Sequence, residues 1–298
     1  MGEGATEERK RWRPFRLIGW ILLGGIALVV LASLLSPELE LTGDNLVGVV
    51  RVEGVIVDAR QTVGDLRKFG ESPTIKAIVL RIDTPGGGVV PSQEIHDAVM
   101  RVRTTHNKAV VASMGSVAAS GGYYIAAASD RIIANPGTLT GSIGVIMELA
   151  NVEGLLQKIG VQSVVIKSGR YKDIGSPLRK MGEEDRRILQ AVMDDVHSQF
   201  IEAVAEGRSL EVDAVRGMAD GRIFTGRQAR DAKLVDELGD LDDAVRIAAD
   251  LGGIEGEPKV IEPKRRFSLR ELIESRVLGT LPRLDFQTGV NLKYMMAF

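Results

Sequence analysis

The sequence predicts an α/β fold that is attached to a membrane by one N-terminal transmembrane helix. Short apolar segments, typical of buried parallel strands, alternate with segments of helical periodicity, and this spacing fits repeated βαβ units. An uncharged, mostly aliphatic run at residues 17–35 precedes them. At about 1.5 Å per residue such a run spans roughly 28 Å, close to the hydrocarbon thickness of a bilayer.

Charges around this run predict its orientation. Basic residues crowd its N-terminal side: Arg9, Lys10, Arg11, Arg13 and Arg16. The positive-inside rule then keeps the N-terminus in the cytoplasm and places the rest of the chain outside it. A cleaved secretory signal would have a shorter apolar core, about 7–15 residues, and an A-x-A-like site after it. We therefore expect an uncleaved single-pass anchor.

Composition narrows the function classes. The formal net charge of −2 argues against a nucleic-acid binder, which is normally basic. The chain has no cysteine, which excludes disulfides, thiolate zinc sites and cysteine nucleophiles. We divide the chain into a cytoplasmic N-terminus with the anchor (1–40), a main folded domain (41–252) and a C-terminal extension or tail (253–298). Residues 282–298 lack clear periodicity, which is typical of a tail or an interaction segment.

The elements of the main domain follow from apolar patterning. Strands are predicted at residues 46–57, 77–83, 109–114, 131–134 and 161–167. Helices are predicted at residues 62–69, 91–105, 118–128, 154–159 and 182–207. The last helix has apolar residues every four positions: Ile188, Val192, Val196, Phe200 and Val204.

Helix ends are marked by three further signals. Thr225 and Gln228 form a capping-box pattern, as do Ser268 and Glu271. Gly252 stands where a helix would end.

Two glycine-rich segments could bind an oxyanion. DTPGGG (83–88) follows a buried strand, and its glycines allow backbone N–H groups to face a ligand. GSVAASGGYY (115–124) places Ser120 at the start of a small-residue helix, where the N–H of Gly121 could complete an oxyanion pocket. A plain glycine turn and close helix packing remain alternatives for these segments.

A third segment, SGRYKDIGSP (168–177), offers Lys172 as a general base. A lysine can act as a base only when neutral, and burial in apolar surroundings favours that form. A solvated surface charge is the alternative. The histidines, His96, His106 and His197, lie outside the glycine-rich segments, and we interpret them as surface residues. The sequence has no HExxH motif, no P-loop and no paired metal-ligand spacing.

Together with TGSIGVI (140–146), these segments resemble bacterial signal peptide peptidase A in its short form, over roughly residues 45–250. The resemblance implies a crotonase/ClpP-like βαβ superhelix and a serine endopeptidase that needs no cofactor. It implies Ser120 as nucleophile, Lys172 as general base and the N–H groups of Gly87 and Gly121 as oxyanion donors. Ser142 matches a hydroxyl that orients the lysine.

The resemblance also implies partners and location. We expect peptide substrates such as signal peptide remnants, a homo-oligomer whose sites are shared between protomers, and a bacterial inner membrane location with the catalytic domain extracytoplasmic. Small residues near Ser120 predict that the site accepts small to medium apolar side chains. A membrane peptidase acting on a stomatin-like partner and an acyl-CoA enzyme of the same fold remain alternatives.

Overall fold

The computed structural model describes residues 45–263 and 292–296. All of these belong to one compact unit, Asp44–Phe298. The predicted anchor at 17–35 and the capping pattern of Ser268 and Glu271 lie outside the described residues. Within the described residues, no helix has both the length and the apolar content needed to cross a bilayer.

Strands and helices alternate along the first half of the chain. The strands are β1 (Leu46–Glu53), β2 (Ile75–Thr84), β3 (Gly86–Gly88), β4 (Ala109–Ala119), β5 (Arg131–Ala134), β6 (Leu139–Gly141), β7 (Ile223–Thr225), β8 (Glu237–Leu238), β9 (Lys259–Ile261) and β10 (Lys293–Met295). The helices are α1 (Arg60–Glu71), α2 (Val89–Thr105), α3 (Gly121–Ala127), α4 (Glu153–Lys158), α5 (Glu183–Arg208), α6 (Val212–Arg216), α7 (Gly226–Asp231) and α8 (Leu241–Leu251).

The main sheet is largely parallel, as the βαβ pattern predicted. Its order is β7-β6-β4-β2-β1-β9, and β5 also pairs with β4 and continues to β8. Only β7 runs antiparallel to its neighbour in this sheet. The fold is therefore a mixed α/β fold with a mainly parallel sheet.

The central strands are apolar on both faces because helices cover both. Val79 in β2 and Val111 in β4 pack in a core cluster with Ala244 and Ala248 of α8. On another part of the sheet, α3 packs against β2 and β4, and its Tyr123 and Ile125 are fully buried. This double cover explains why the sequence of β2 is a continuous apolar run rather than an alternating one.

Most predicted elements are confirmed, with three differences. β4 continues through Ala119, so residues 118 and 119 are strand rather than helix, since they pair with Thr84 of β2 and with β6. Residues 161–167 form no strand, and Ile166 is 98% exposed. The apolar stripe of α5 is buried at its C-terminal end, whereas Val192 is 41% exposed.

The described parts of the C-terminal extension pair with the main domain. β9 lies parallel to β1 at one edge of the main sheet. β10 pairs antiparallel with β3, the glycine strand. The signals at helix ends hold as well: Thr225 and Gln228 form the capping box of α7, and Gly252 is the C-cap of α8.

Candidate active site

The parallel strands carry the glycine-rich segments to one edge of the sheet. β2 ends just before β3, β4 ends at Ala119 before Ser120, and β6 ends at Gly141 before Ser142. The N–H of Ser120 donates to the carbonyl of Gly141 at 2.8 Å. Because carboxyl ends of parallel strands share an edge, residues far apart in sequence meet here.

Ser120 has an unusual backbone at the turn from β4 into α3. Its φ is 53° and its ψ −115°, a conformation that favours glycine. For a serine it costs about 1–3 kcal/mol, and such strain is concentrated at functional sites. The side chain is 1% exposed, and its Oγ has no hydrogen-bond partner among the described residues.

The N–H groups of Gly87 and Gly121 lie side by side. A Cβ placed on Gly121 would lie 3.3 Å from the nitrogen of Gly87, and one placed on Gly86 would lie 2.9 Å from the nitrogen of Gly121. A Cβ on Gly87 would collide with the carbonyl of Ile56. Glycine is needed at these positions because backbone approaches backbone.

Thr84 fixes the turn that leads into β3. Its Oγ1 accepts from the N–H of Gly86 at 3.0 Å and donates to the carbonyl of Gly54. Thr84 is fully buried, so these bonds are protected from water. These bonds fix the turn that precedes Gly87, and two neighbouring N–H groups such as those of Gly87 and Gly121 can stabilise an oxyanion.

Lys172 does not meet Ser120 within this chain. It lies in a turn after residues 161–167, and its side chain is exposed. Because the Oγ of Ser120 has no partner among the described residues, the Lys172 ammonium is not within hydrogen-bonding distance of it. The predicted pair is therefore not assembled inside one chain.

An ion-pair network braces the loop that carries Lys172. Asp173 accepts from Lys167 Nζ at 2.6 Å and from Arg179 Nε at 2.9 Å. Arg179 also bonds Asp185, which accepts from the N–H of Gly182 at the start of α5. Hydrogen bonds from Arg179 and then Lys167 hold the pKa of Asp173 well below its usual range.

Ser142 borders an open cleft. The cleft has a volume of about 710 Å³, and its walls include Ile146, Asp194 and His197. Ser142 is buried, has a φ of 51°, and donates its N–H to the carbonyl of Arg222 at 2.8 Å. A positive φ in a serine again shows that surrounding contacts fix this backbone.

All three histidines are partly buried, and the interpretation of them as surface residues is wrong for His96. The His96 side chain is only 15% exposed and packs on Tyr124 with ring centroids 4.9 Å apart. Burial lowers the pKa of His96. The Nε2 of His197 is buried without a hydrogen-bond partner in the described part of the chain. His106 is partly exposed at the end of α2.

Sequence reasoning missed the C-terminal residues that lie over the site. Tyr294 in β10 is fully buried and stands opposite Gly87. Two weak signals were available. Aromatic residues are rare, at 4% of the chain, so a tyrosine near the C-terminus is notable, and the short KYM run contains a β-forming residue. Three residues give no usable periodicity, so the pairing could not be foreseen.

The fold and this site together indicate a class of enzyme. A strained serine at a strand-to-helix turn, beside two preset N–H groups, is typical of enzymes that use serine as a nucleophile. The N–H groups would receive the negative charge that develops on a carbonyl oxygen.

Comparison with known proteins agrees with this class. The model of peptidase family S49 matches residues 103–255, which include Ser120, Ser142 and Lys172. A protein of Synechocystis provisionally named a protease is 48% identical over 207 residues, which is 69% of this chain and 74% of that protein. The chain belongs to peptidase family S49 and is a serine-type peptidase.

Two further relatives are named for their function. A protein of Enterococcus faecium provisionally named signal peptide peptidase SppA is 40% identical over 180 residues, 60% of this chain and 52% of that protein. Protease 4 of Salmonella typhi is 34% identical over 256 residues, 79% of this chain and 41% of that protein. The matches thus span about half or less of these two relatives.

Proposed function

We propose that this chain is a membrane-anchored serine endopeptidase that degrades cleaved signal peptides and other unfolded apolar peptides with a Ser–Lys dyad. Ser120 is the nucleophile, Lys172 the general base and Ser142 the hydroxyl that orients the lysine. The N–H groups of Gly87 and Gly121 bind the oxyanion. One observation carries this proposal: a buried, strained Ser120 lies next to two preset N–H groups.

The reaction follows from these roles. Neutral Lys172 takes the proton of the Ser120 hydroxyl as its oxygen attacks the peptide carbonyl. The carbonyl oxygen becomes an oxyanion and accepts from the N–H groups of Gly87 and Gly121. Lys172 then gives its proton to the leaving amine, and an acyl ester remains on Ser120. Water, deprotonated by Lys172, attacks this ester and releases the acid.

A base supplied by a neighbouring subunit fits the exposure of Lys172. The loop that carries it follows exposed apolar side chains: Val161, Val164, Val165 and Ile166. Such a patch is costly to leave in water, and a second copy of the chain is the simplest cover for it. The cleft beside Ser142, with a volume of about 710 Å³, is the route by which such a lysine would approach the site. We therefore propose a homo-oligomer in which Lys172 reaches Ser120 of an adjacent protomer.

The proposal also includes a fold family and a cellular location. The sheet is mainly parallel, and the site lies at the carboxyl ends of its strands. Both features are consistent with a ClpP/crotonase-like superhelix over residues 41–252. Residues 17–35 would anchor it in a bacterial inner membrane, with the catalytic domain outside the cytoplasm. The name of the Enterococcus faecium relative supports signal peptide remnants as substrates.

A peptide-hydrolysis assay with paired variants tests the proposal. Ser120→Ala and Lys172→Ala should each lower kcat/KM at least about 1,000-fold, because members of a catalytic unit act together. The matched controls are Ser116→Ala and Lys180→Ala, exposed residues close to each in sequence, which should stay near wild type. Near-normal activity of Lys172→Ala in a folded protein would reject lysine as the base. Inhibition by EDTA would argue for a metal mechanism instead.

A further inference from the structure

β4 changes its register just before the candidate nucleophile. Its pairing with β2 is regular as far as Met114, and the next residue of β4 that pairs with β2 is Ala118, which stands opposite Thr84. One residue of β2, Asp83, therefore faces three residues of β4, 115–117. These three residues form a bulge, and bulges next to active sites commonly bend a strand and redirect the side chains that follow.

The bulge is also the point at which β4 changes its neighbour. Before it, residues 111–114 pair with β5, and from its last residue onward, residues 117–119 pair with β6. The bulge thus brings the end of β4 beside Gly141, whose carbonyl accepts from the N–H of Ser120 at 2.8 Å. The position of Ser120 therefore depends on the shape of the bulge.

Two charged side chains of β2 hold the two ends of the bulge. Nη1 of Arg81 donates to the carbonyl of Met114 at 3.2 Å and to Oγ of Ser113 at 3.0 Å. Oδ1 of Asp83 accepts from the N–H of Val117 at 3.1 Å. Both charged side chains lie on the same face of β2, because residues two apart in a strand point the same way, and both residues are partly buried. We call Arg81 and Asp83 the bulge clamp.

Gly115 makes room for the bulge clamp. A Cβ on Gly115 would lie 2.7 Å from Cγ of Asp83 and 2.9 Å from its Oδ2. A side chain here would push the carboxylate away from Val117, so glycine is required by the close approach of Asp83. The carbonyl of Gly115 accepts from the hydroxyl of the buried Thr138 at 2.8 Å. Side chains thus bond the backbone of the bulge at both Gly115 and Val117.

The proposed function uses the glycines of the DTPGGG segment but gives no role to its aspartate. Asp83 bonds the backbone and not Ser120, because Oγ of Ser120 has no hydrogen-bond partner among the described residues. Hydrogen bonds in which one partner is charged are roughly twice as strong as neutral ones, and partial burial limits their screening by salt. The bulge clamp can therefore fix the backbone that leads to Ser120 without touching its hydroxyl.

We propose that the bulge clamp positions the nucleophile. Its bonds fix the bulge of β4, and the bulge fixes where the hydroxyl of Ser120 lies relative to the N–H groups of Gly87 and Gly121. This rests on the proposed role of Ser120 and adds two positioning residues that act on it through the backbone. A displacement of about 1 Å at a reacting group can lower a rate roughly 100-fold, so a small change in the bulge is enough to slow the attack.

Kinetics of peptide hydrolysis by the full chain test the proposal. Asp83→Ala removes the acceptor for the N–H of Val117, and we expect kcat to fall at least about ten-fold. KM should stay nearly unchanged, because only the attacking hydroxyl is displaced. Asp83→Asn keeps an acceptor oxygen and should regain most of the lost kcat. If Asp83 were itself an acid or a base, Asp83→Asn would be as slow as Asp83→Ala, and that result would overturn the positioning role.

Asp130→Ala is the matched control. The Asp130 carboxylate accepts from the N–H of Val110 at 2.8 Å, so it holds the same strand by the same kind of bond at the end remote from Ser120. Both alanine variants should lower the thermal midpoint, but only Asp83→Ala should lower kcat. A merely structural role for Asp83 predicts equal kcat in the two folded variants, which would reject the proposal.

Arg81→Met tests the other end of the bulge clamp. It removes the donor to the carbonyl of Met114 and leaves Asp83 in place, so kcat should fall as in Asp83→Ala, with KM again nearly unchanged. If Asp83→Ala does not fold, Arg81→Met against Asp130→Ala gives the same comparison. Near-normal hydrolysis by Ser120→Ala would reject Ser120 as the nucleophile. An inactive Ser120→Ala beside clamp variants of normal kcat would reject the bulge clamp alone.

Discussion

The two halves of the candidate site are built in different ways. The half that contains Ser120, Gly87 and Ser142 is buried and is held by backbone hydrogen bonds between strand ends. The half that contains Lys172 is an exposed loop held by ion pairs around Asp173. The sheet of one chain is enough to form the first half. In the proposed mechanism, the second half would reach Ser120 only from a neighbouring protomer.

The two halves also differ in how much of each residue is exposed to solvent. The Ser120 residue is 1% exposed, whereas Ile166, just before the lysine loop, is 98% exposed. Apolar side chains at such an exposure are normally covered in the working state. We therefore expect the nucleophile half to respond to mutation as a core does, and the lysine half to respond as an interface does.

The largest effect is expected from mixing inactive chains. Ser120→Ala and Lys172→Ala chains, co-expressed so that they assemble together, should recover hydrolysis, because an intact pair forms at about a quarter of the interfaces of a randomly mixed ring. The measurement is specific activity of purified mixed oligomers against each variant alone. If each protomer contains its own complete site, every site lacks one member and the mixture stays inactive, which would show that the lysine half acts within its own chain.

The second largest effect is expected from Gly87→Ala in the half of the site that contains Ser120. Its Cβ would meet the carbonyl of Ile56, and backbone cannot move aside cheaply. We expect a loss of roughly 2 kcal/mol in the free energy of unfolding and a fall in kcat of about 100-fold through the displaced N–H. Chemical denaturation and peptide hydrolysis measure the two effects.

Gly64→Ala is the matched control for this variant. Gly64 lies inside α1, and a Cβ there would meet no atom within 4 Å. It should raise stability by about 0.5–1 kcal/mol, since alanine is the better helix former, and leave kcat unchanged. A Gly87→Ala protein as stable and active as this control would mean that the glycine strand tolerates a side chain.

A smaller effect is expected from Asp173→Asn in the lysine half. The change weakens the bonds to Lys167 and Arg179 that fix the loop around Lys172. We expect kcat to fall about ten-fold because a catalytic group loses its position, with little change in thermal midpoint. Asp213→Asn, whose side chain is 99% exposed, is the control. An equal loss in both variants would point to a general charge effect rather than to positioning.

The smallest effect concerns pH and His96. Burial lowers its pKa below 6.5, and the charges of Asp97 and Glu206 oppose this more weakly. The unfolded chain therefore binds this proton more readily, so stability is independent of His96 above about pH 6.5 and falls as the pH drops below it. His96→Gln should show a shallower loss of unfolding free energy as the pH falls below about 6.5 in denaturation experiments. Identical slopes would mean that the ring is not buried in solution.

The sequence predicted the central elements well because buried parallel strands are continuous apolar runs. β5 at Arg131–Ala134 was predicted to the residue. The error at Ala118 has a physical cause: alanine favours helix locally, but pairing on both sides keeps β4 extended. The predicted strand at 161–167 has the right composition but no partner strand in the described residues.

For the site, the sequence identified the segments but not their relations. Gly87, Ser120, Gly121 and Ser142 lie together as the strand order requires. Burial and exposure of Lys172 were both left open by the sequence, because exposure is decided by tertiary packing. Tyr294 was missed for a related reason, since it meets Gly87 across about 200 residues of chain and no local pattern encodes that contact.

The backbone of Ser120 places stability and activity in opposition. Its positive φ is a conformation that glycine adopts freely, so a glycine at position 120 would relieve strain of about 1–3 kcal/mol. The same change would remove the hydroxyl that we propose as the nucleophile. A screen for thermal tolerance alone would therefore favour a glycine at this position, and under the proposed mechanism the selected protein would be more stable but inactive.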